Sequence, residues 1–269
     1  MSDDAIMEAA ANPALVRMQK DEVALGLIVH LGRSGEIARV AKVTDHDFLF
    51  IDMQHAIFSL ETVNHIVQAA NALNIAPLIR LPSVDDLNAA TLLDVGAAGL
   101  VFPNVHTADD ARRAVAKCKF SPLGRRSVQG TYSKFNYAKL PLPKITSFLN
   151  RHTLIVCMIE SREGLENVDA IAAVEGVDVL HVGANDLLFD LGAPRAYGGP
   201  EITDAMNRIL AAGKKHGKYV GFGGDKDPAR QAALVKQGVR FITTNGDLHL
   251  LIEEFGRRNG ELRKLFSAS

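Results

Sequence analysis

The sequence predicts a single-domain (β/α)8 barrel, and three observations point to it. Short apolar runs alternate with longer segments of helical periodicity. The runs number eight, and the length of 269 residues suits one barrel domain. No glycine-rich GxGxxG turn follows the first run, which disfavours an open nucleotide-binding sheet. Runs this continuously apolar are typical of parallel strands buried on both faces. The predicted strands are 25–29, 48–51, 77–79, 99–102, 154–159, 177–182, 219–222 and 241–243.

The segments between the strands predict helices. Ser59 is expected to cap the second of them, and Gly96, Gly217 and Gly238 to end three others. Segment 120–150, rich in Pro, Gly, Ser, Lys and Arg, is expected to be irregular and to form a lid or an oligomer contact. Residues 1–22 form an N-terminal segment and 250–269 a C-terminal helix of the same domain. The predicted helices are 34–42, 59–73, 84–95, 108–118, 202–216 and 228–237.

Composition narrows the class of protein. With 47% hydrophobic residues, 23% charged residues and a formal net charge of −1, nothing favours a nucleic-acid or membrane partner. The cysteines Cys118 and Cys157 have no metal-ligand spacing, which indicates a reduced, cytoplasmic protein. The first residues lack a basic region followed by an apolar core, so no secretory signal is expected. No apolar run approaches the ~20 residues that span a bilayer.

Reactive side chains cluster just after the predicted strands. In a parallel barrel the active site lies at the carboxyl ends of the strands, so these residues are expected to share one rim. A catalytic rim is therefore predicted from position alone. The residues concerned are His30, Arg33, Asp52, His55, Arg80, Asn104, Glu160, Asp186, Asp225 and Asn245.

The residue types at this rim suggest a chemistry. Glu160 and Asp186, two carboxylates with few other ligands, suit a hard cation such as Mg²⁺ or Mn²⁺. A cation bound by a 2-oxo acid stabilises the enolate formed at its C3 carbon. Arg80 is a donor for a carboxylate or an oxyanion, and a histidine such as His55 carries protons near neutral pH. Asp52 is expected to orient His55. No lysine stands at a predicted strand end, where it could form a Schiff base with a substrate. This favours metal-assisted over imine chemistry.

At this point the chain resembles the HpcH/HpaI aldolase family of the phosphoenolpyruvate/pyruvate barrel superfamily. The resemblance covers about residues 25–247, nearly the whole chain. Each motif is weak alone, but their order and their positions at strand ends are specific. The motifs are Phe50-Ile-Asp-Met-Gln-His-Ala56, Leu78-Ile-Arg-Leu-Pro82, Leu93-Asp-Val-Gly-Ala97, Phe120-Ser-Pro-Leu-Gly-Arg-Arg126, Met158-Ile-Glu-Ser161 and Val182-Gly-Ala-Asn-Asp-Leu187.

The resemblance implies an aldehyde-lyase that forms or cleaves 4-hydroxy-2-oxo acids. Pyruvate, as an enolate on a divalent cation (Mg²⁺, Mn²⁺ or Co²⁺), would be one substrate and an aldehyde the other. It implies homo-oligomers, trimers or hexamers, in which segment 250–266 is exchanged between subunits. The implied roles are metal binding for Glu160 and Asp186, catalysis for His55, an oxyanion contact for Arg80, a carboxylate contact for Gly183 and Ala184, and reach into a neighbouring subunit's site for Asp94.

The chain also departs from the family pattern. Gln54 precedes the histidine where Glu is frequent, and Met158 stands at a substrate-facing position where some aldolases have Gln. The loop Gly124-Arg-Arg-Ser127 replaces a Gly-x-Arg-Gly pattern. These changes keep two alternatives open. One is a condensing enzyme or CoA-ester lyase, citrate-synthase-like or citryl/malyl-CoA-lyase-like; the other is a non-catalytic protein on the same barrel.

Overall fold

The protein, described here for residues 2–268 by a computed structural model, is a closed barrel of parallel strands. Each strand pairs with the next along the chain, and the last pairs with the first. The predicted (β/α)8 fold is confirmed. Met1 and Ser269, which the predicted terminal segments include, lie outside the described residues. The strands are β1 Ala24–Val29, β2 Phe48–Asp52, β3 Ala76–Arg80, β4 Gly99–Phe102, β5 Leu154–Ile159, β6 Val179–Gly183, β7 Tyr219–Gly223 and β8 Phe241–Gly246.

The helices follow the strands, with boundaries set by local chemistry. The Ser59 side chain accepts from the Thr62 N–H and caps its helix as predicted, and Gly96, Gly217 and Gly238 have positive φ angles of 105°, 64° and 116°. Helix 84–95 was predicted too long, because Asp86 forms a polar turn before it. The helices are α1 Asp3–Ala9, α2 Pro13–Gln19, α3 Glu36–Val43, α4 Leu60–Ala72, α5 Ala89–Asp94, α6 Ala108–Cys118, α7 Leu142–His152, α8 Arg162–Glu166, α9 Val168–Ala172, α10 Ala184–Asp190, α11 Pro200–His216, α12 Pro228–Gln237 and α13 Asp247–Ala268.

Helix α2 closes the amino end of the barrel. Leu15 and Met18 on this helix pack with the side chains that fill the barrel interior, where Phe48 and Phe241 stack at 4.2 Å between ring centroids. The buried Asn12 caps α2 and donates from Nδ2 to the backbone oxygen of Ala98, which precedes β4. The sequence predicted only an undefined N-terminal segment here. Because the amino end is filled by side chains, the chemistry has to lie at the carboxyl ends.

Segment 120–150 is more regular than predicted. It contains a 3-10 turn, Ser133–Phe135, and α7, whose apolar residues Ile145, Phe148 and Leu149 belong to a small separate core. The buried Lys119 donates from Nζ to the backbone oxygen of Thr153, just before β5. This contact anchors the beginning of the segment near the amino ends of the strands, away from the rim. The expectation of a lid is therefore wrong for the chain's own site, whereas an oligomer contact stays a prediction.

Helix α13 begins at Asp247, three residues before the predicted start, and carries several exposed apolar side chains. Ile252, Phe255 and Leu265 are each more than half exposed. Exposed apolar surface of this kind marks interaction sites in proteins. Within residues 2–268, no helix has both the length and the apolar character that crossing a membrane demands.

The close approach of β4 and β5 yields a first prediction, for Gly99→Ala. A Cβ at Gly99 would lie 2.4 Å from the backbone oxygen of Leu154. We expect this variant to lose about 1–3 kcal/mol of unfolding free energy, measured by urea denaturation, because the strands have to move apart. Gly256→Ala, on exposed α13 with nothing within 4 Å, is the matched control. It should gain about 0.5–1 kcal/mol through helix propensity. Unchanged stability of the Gly99 variant would contradict this packing.

Candidate active site

A cavity of about 680 Å³ opens at the carboxyl ends of the strands. The rim predicted from sequence position therefore exists. Asp52 and Glu160 lie directly behind the cavity wall, each in contact with a lining residue, and Asp94 lies elsewhere. The predicted rim and site residues that line the cavity are His30, His55, Arg80, Met158, Gly183, Ala184, Asp186 and Asn245.

Asp52 is the most tightly held polar group at this rim. Its carboxylate is fully buried and accepts five hydrogen bonds. Two come from Arg80, at 2.9 Å from Nε and 2.5 Å from Nη2. The others come from His30 Nε2 at 2.8 Å and from the backbone N–H groups of Gln54 and His55. Although burial opposes ionisation, these hydrogen bonds and the Arg80 charge hold the pKa of Asp52 well below its usual value.

The histidine partner of Asp52 differs from the expected one. Asp52 was predicted to orient His55, but its carboxylate contacts the His30 ring and only the backbone N–H of His55. Because His55 follows Asp52 by only three residues in a turn, its backbone N–H lies within reach of the Asp52 carboxylate. His30 follows the adjacent strand β1, and its ring reaches the same carboxylate from there. The exposed His55 ring has no hydrogen-bond partner among residues 2–268 and lines the cavity mouth.

Glu160 presents one unsatisfied oxygen to this region. Oε1 accepts from the Asn104 N–H at 2.7 Å, but the buried Oε2 has no partner among the described residues. Burial, together with the negative charge of Asp186, raises the pKa of Glu160. Asp186 is exposed, in the first turn of α10, and makes no ion pair within residues 2–268. It does not cap that helix, because Gly183 occupies the cap position.

Gly183 and Met158 shape the space around Glu160. A Cβ at Gly183 would lie 2.5 Å from Glu160 Oε2 and 3.1 Å from the Met158 methyl carbon. Any side chain there would displace the carboxylate, so glycine keeps its oxygen accessible. Met158 sulfur is 4.0 Å from Arg80 Nη1, the guanidinium nitrogen that Asp52 does not hold. The predicted substrate-facing position of Met158 is thus beside the free edge of Arg80.

Asp94 lies away from the chain's own site. It ends α5, near the amino ends of the strands, and forms an ion pair with the buried Arg126 at 2.6 Å. The Arg126 guanidinium also packs over Phe120 and Tyr132. This contact orders the loop Gly124-Arg-Arg-Ser127 that the sequence flagged as divergent. A role for Asp94 in a neighbouring subunit's site stays a prediction.

Several cavity residues escaped the sequence reading. Lys226 and Arg195 line the cavity from loops beyond β7 and α10, and His249 from α13. His181 points into the barrel beneath the cavity, where burial lowers its pKa to about 3 and keeps it neutral. Lys226 lies three residues past the end of β7, so it does not stand directly after a predicted strand. The signal for it is a basic residue in the loop that follows a strand.

Asp247 is a further residue the sequence did not single out. Its buried carboxylate accepts from the backbone N–H groups of His30, Leu31, Gly32 and Leu248 at 2.7–2.9 Å. It therefore fixes the β1 loop that carries His30. Asp225, which was placed among the rim residues, is instead bound by Arg230 at 2.5 Å and 2.8 Å. Its role is structural.

The donor set suits a cation held by few protein ligands. Across residues 2–268, no group of three or more His, Cys, Asp or Glu side chains is arranged to hold a metal ion. The pair Glu160 and Asp186 offers hard oxygen donors, one of them buried and without a partner. Hard oxygens are the ligands that Mg²⁺ and Mn²⁺ prefer, and Mg²⁺ is often bound by only one or two carboxylates. The residues present fit such an ion.

The barrel and its rim define an enzyme-like site at the carboxyl ends of the strands, and comparison with known proteins specifies the family and the reaction class. The chain belongs to the HpcH/HpaI aldolase/citrate lyase family, whose model matches residues 28–253. It is 38% identical over 219 residues to a 4-hydroxy-4-methyl-2-oxoglutarate aldolase of Hapsidospora irregularis, covering 80% of this chain and 81% of that protein. The predicted family and the predicted class, a carbon-carbon lyase, are confirmed.

Solved structures agree with the family assignment. An HpcH/HpaI aldolase from Desulfitobacterium hafniense DCB-2 superposes with a TM-score of 0.88 at 26% identity, covering 93% of this chain and 96% of that chain. The citrate synthase SbnG superposes with a TM-score of 0.85 at 25% identity, covering 96% and 99%. The barrel thus hosts both aldolases and condensing enzymes, so the site has to decide the reaction.

The Asp52 cluster yields a second prediction. Asp52→Asn removes the charge that compensates the buried Arg80, so we expect a loss of about 3–5 kcal/mol in unfolding free energy at pH 7. The pKa of Asp52 is lower in the folded than in the unfolded protein. Its stabilising contribution is therefore fully present above about pH 4 and is lost as the pH falls below that value. Urea denaturation at pH 7 and at pH 3 measures the difference.

The control for this prediction is Asp169→Asn, which breaks exposed ion pairs with Lys215 and His216. Exposed pairs contribute little, so this variant should behave like wild type at both pH values. An Asp52 variant as stable as wild type at pH 7 would show that the cluster does not hold the rim together.

Proposed function

We propose that the protein is a metal-dependent class II pyruvate aldolase that forms or cleaves 4-hydroxy-2-oxo acids at this cavity. The observation that carries the proposal is the buried, unpartnered Oε2 of Glu160, which lies near Asp186 and against the cavity-lining Gly183. A carboxylate oxygen in this position is costly unless something binds it. The relatives named as aldolases support the reaction class.

Glu160 and Asp186 would hold Mg²⁺, Mn²⁺ or Co²⁺. When bound, such a cation stabilises the negative charge that develops on the 2-oxo oxygen as pyruvate loses a C3 proton. Asn104 fixes Glu160 through Oε1, so Oε2 is the oxygen left for a ligand. The raised pKa of Glu160 reflects the same unmet charge requirement.

Arg80 and the turn Gly183–Ala184 would bind the donor substrate. Asp52 holds Nε and Nη2 of Arg80, which leaves Nη1 to donate to a substrate oxygen at the cavity wall. Because two of its nitrogens are fixed, the guanidinium is positioned before the substrate arrives. The turn offers backbone N–H groups without a side chain at Gly183, so a carboxylate can approach closely.

His55 would carry the proton to and from C3 of pyruvate. Its exposed ring lines the cavity and makes no competing hydrogen bond within residues 2–268. His30 is the other histidine of this wall, but its Nε2 is engaged by Asp52. The remaining ring nitrogen of His30, Nδ1, is buried, whereas the exposed His55 ring is open to a substrate that enters the cavity.

The proposal also covers the oligomeric state of the protein and its location in the cell. A homo-oligomer, trimer or hexamer, is supported by the exposed apolar residues Ile252, Phe255 and Leu265 on α13, which an exchanged helix would bury. In such an assembly Asp94 would act in a neighbouring subunit's site. A cytoplasmic location stays a prediction and rests on the two free, buried cysteines.

A condensing reaction is the second candidate function. The observation favouring it is the likeness to a citrate synthase at 25% identity over nearly the whole chain. Met158 beside Arg80, where some family members have Gln, would alter contacts to the second substrate. Turnover of acetyl-CoA with oxaloacetate and water to citrate, with release of the free thiol, would favour a citrate-synthase-like condensation over the aldolase. Formation of a longer CoA ester without release of thiol would favour a CoA-ester lyase.

The metal site yields a third prediction, for Glu160→Gln. In wild type the folded pKa of Glu160 lies above the unfolded value, so ionising it lowers stability as the pH rises through the folded pKa. Without metal at pH 7.5, the variant should therefore melt above wild type in EDTA. Added Mn²⁺ should raise the melting temperature of wild type but not of the variant.

The same variant should abolish metal-dependent deuterium incorporation into pyruvate in D₂O, measured by mass spectrometry. Glu163→Gln, an exposed residue on α8, is the matched control and should keep both properties. Exchange that persists in EDTA, or Mn²⁺ stabilisation of the Glu160 variant equal to wild type, would refute the metal role.

A fourth prediction separates the two histidines of the wall. His55→Gln should slow deuterium exchange by about 100-fold or more, the usual contribution of a positioned base, and leave the Mn²⁺-induced melting shift intact. His30→Gln should lower stability through loss of its contact with Asp52 but retain more of the exchange. The opposite ranking would assign the proton transfer to His30.

A further inference from the structure

The cavity is also lined by a cationic patch formed by Lys226 and Arg195, with His249 beside them. Lys226 lies beyond β7, Arg195 in the loop between α10 and α11, and His249 in the first turn of α13. Arg80 ends β3 and Glu160 follows β5, so the patch comes from other segments than these residues of the proposed pyruvate site (the donor site). The Tyr197 hydroxyl donates to Asn185 and ties the Arg195 loop to α10.

Three acidic groups of the rim are bound by partners other than this patch. Asp52 is bound by Arg80 and His30, Asp225 by Arg230, and Asp247 by four backbone N–H groups. None of them forms an ion pair with Lys226 or Arg195.

Lys226 and Arg195 have no ion-pair or side-chain hydrogen-bond partner in the part of the chain that the structure describes. Glu253 on α13 influences Lys226 electrostatically without contacting it. Lys226 is partly buried, and this burial lowers its pKa. A partly buried ammonium without a partner gains most from an anion that enters the cavity.

The charges of the whole site point the same way. A divalent cation would balance the two carboxylates of the donor site, and Asp52 already balances Arg80. Lys226 and Arg195 then remain as two positive charges that face the cavity. Arg195 also keeps a left-handed φ of 63°, a conformation that costs a residue other than glycine some stability.

We propose that Lys226 and Arg195 bind a carboxylate of the acceptor, so that the acceptor is an oxo acid rather than a neutral aldehyde. The inference rests on the proposed pyruvate aldolase function and narrows its second substrate. The product of addition then carries two carboxylates. Its 2-oxo acid end lies at Glu160, Asp186 and Arg80, and its distal carboxylate lies at the patch.

The test compares two ligands shaped like the product that differ in the distal charge. 2-Oxoglutarate has a distal carboxylate, and 2-oxopentanoate ends in a methyl group at the same chain length. Their dissociation constants are measured by calorimetry with Mg²⁺ for wild type, Lys226→Met, Arg195→Met and the double variant. Lys236→Met, an exposed lysine on α12 outside the cavity, is the matched control.

We expect wild type and Lys236→Met to prefer 2-oxoglutarate. Lys226→Met should weaken 2-oxoglutarate binding by about 10- to 100-fold, the factor carried by a charge-assisted hydrogen bond. Binding of 2-oxopentanoate should change less than about twofold, which also shows that the donor site is folded. The double variant should lose the preference entirely.

The inference is overturned if wild type does not distinguish the two ligands, or if the double variant keeps the preference. Failure of the proposed function looks different. In that case 2-oxopentanoate would bind equally well with Mg²⁺ and with EDTA, whatever the distal charge does.

Discussion

The buried carboxylate of Asp52 is the contact on which the rest of the rim depends. It connects three adjacent strands, because Asp52 ends β2, Arg80 ends β3 and His30 follows β1. A fully buried carboxylate is tolerated only when its charge and its oxygens are satisfied, and five hydrogen bonds meet that requirement. The cluster thus fixes the direction in which Arg80 faces the cavity.

From this cluster the cavity divides into two sides of different character. On one side Arg80, Glu160 and Asp186 surround the space expected for the 2-oxo acid, with Gly183 keeping it free of side chain. On the other side Lys226 and Arg195 present positive charge to the same cavity. Lys226 follows β7, and Arg195 lies in the loop after α10, so the positive charge comes from segments beyond those that carry Arg80 and Glu160. A barrel allows this arrangement because every strand delivers its end to one face.

The sequence predicted the barrel and most of the rim. Both depend on the repeat of apolar runs and on the position of reactive residues after them. Apolar runs predict the strands, and the residues after them share one face in any parallel barrel. It did not predict which partner each side chain takes. The Asp52 carboxylate contacts the ring of His30 and not that of His55. This contact depends on the register between β1 and β2, which spacing along one strand cannot show. Lys226 was missed because loop length moved it one turn away from its strand end.

Segment 120–150 shows a different limit of sequence-based prediction. Its composition predicted an irregular loop, but Ile145, Phe148 and Leu149 recur at helical spacing and bury against Phe120 and Tyr132. Composition describes solubility and turn content, whereas the burial of an apolar stripe decides helix formation. Periodicity was the more reliable guide here, because it reports the face that tertiary packing uses.

In the proposed metal site, the function and the stability of Glu160 oppose each other. Asn104 satisfies one of its oxygens, and a second donor placed at Oε2 would lower the cost of burying the charge. Gly183 brings no side chain to supply that donor, and Asp186 adds a negative charge that raises the pKa further. Each of these features destabilises the folded chain when no ligand is bound, and each would favour binding of a cation. Because marginal stability tolerates only a few such costs, they are concentrated at the place where ligand binding can offset them.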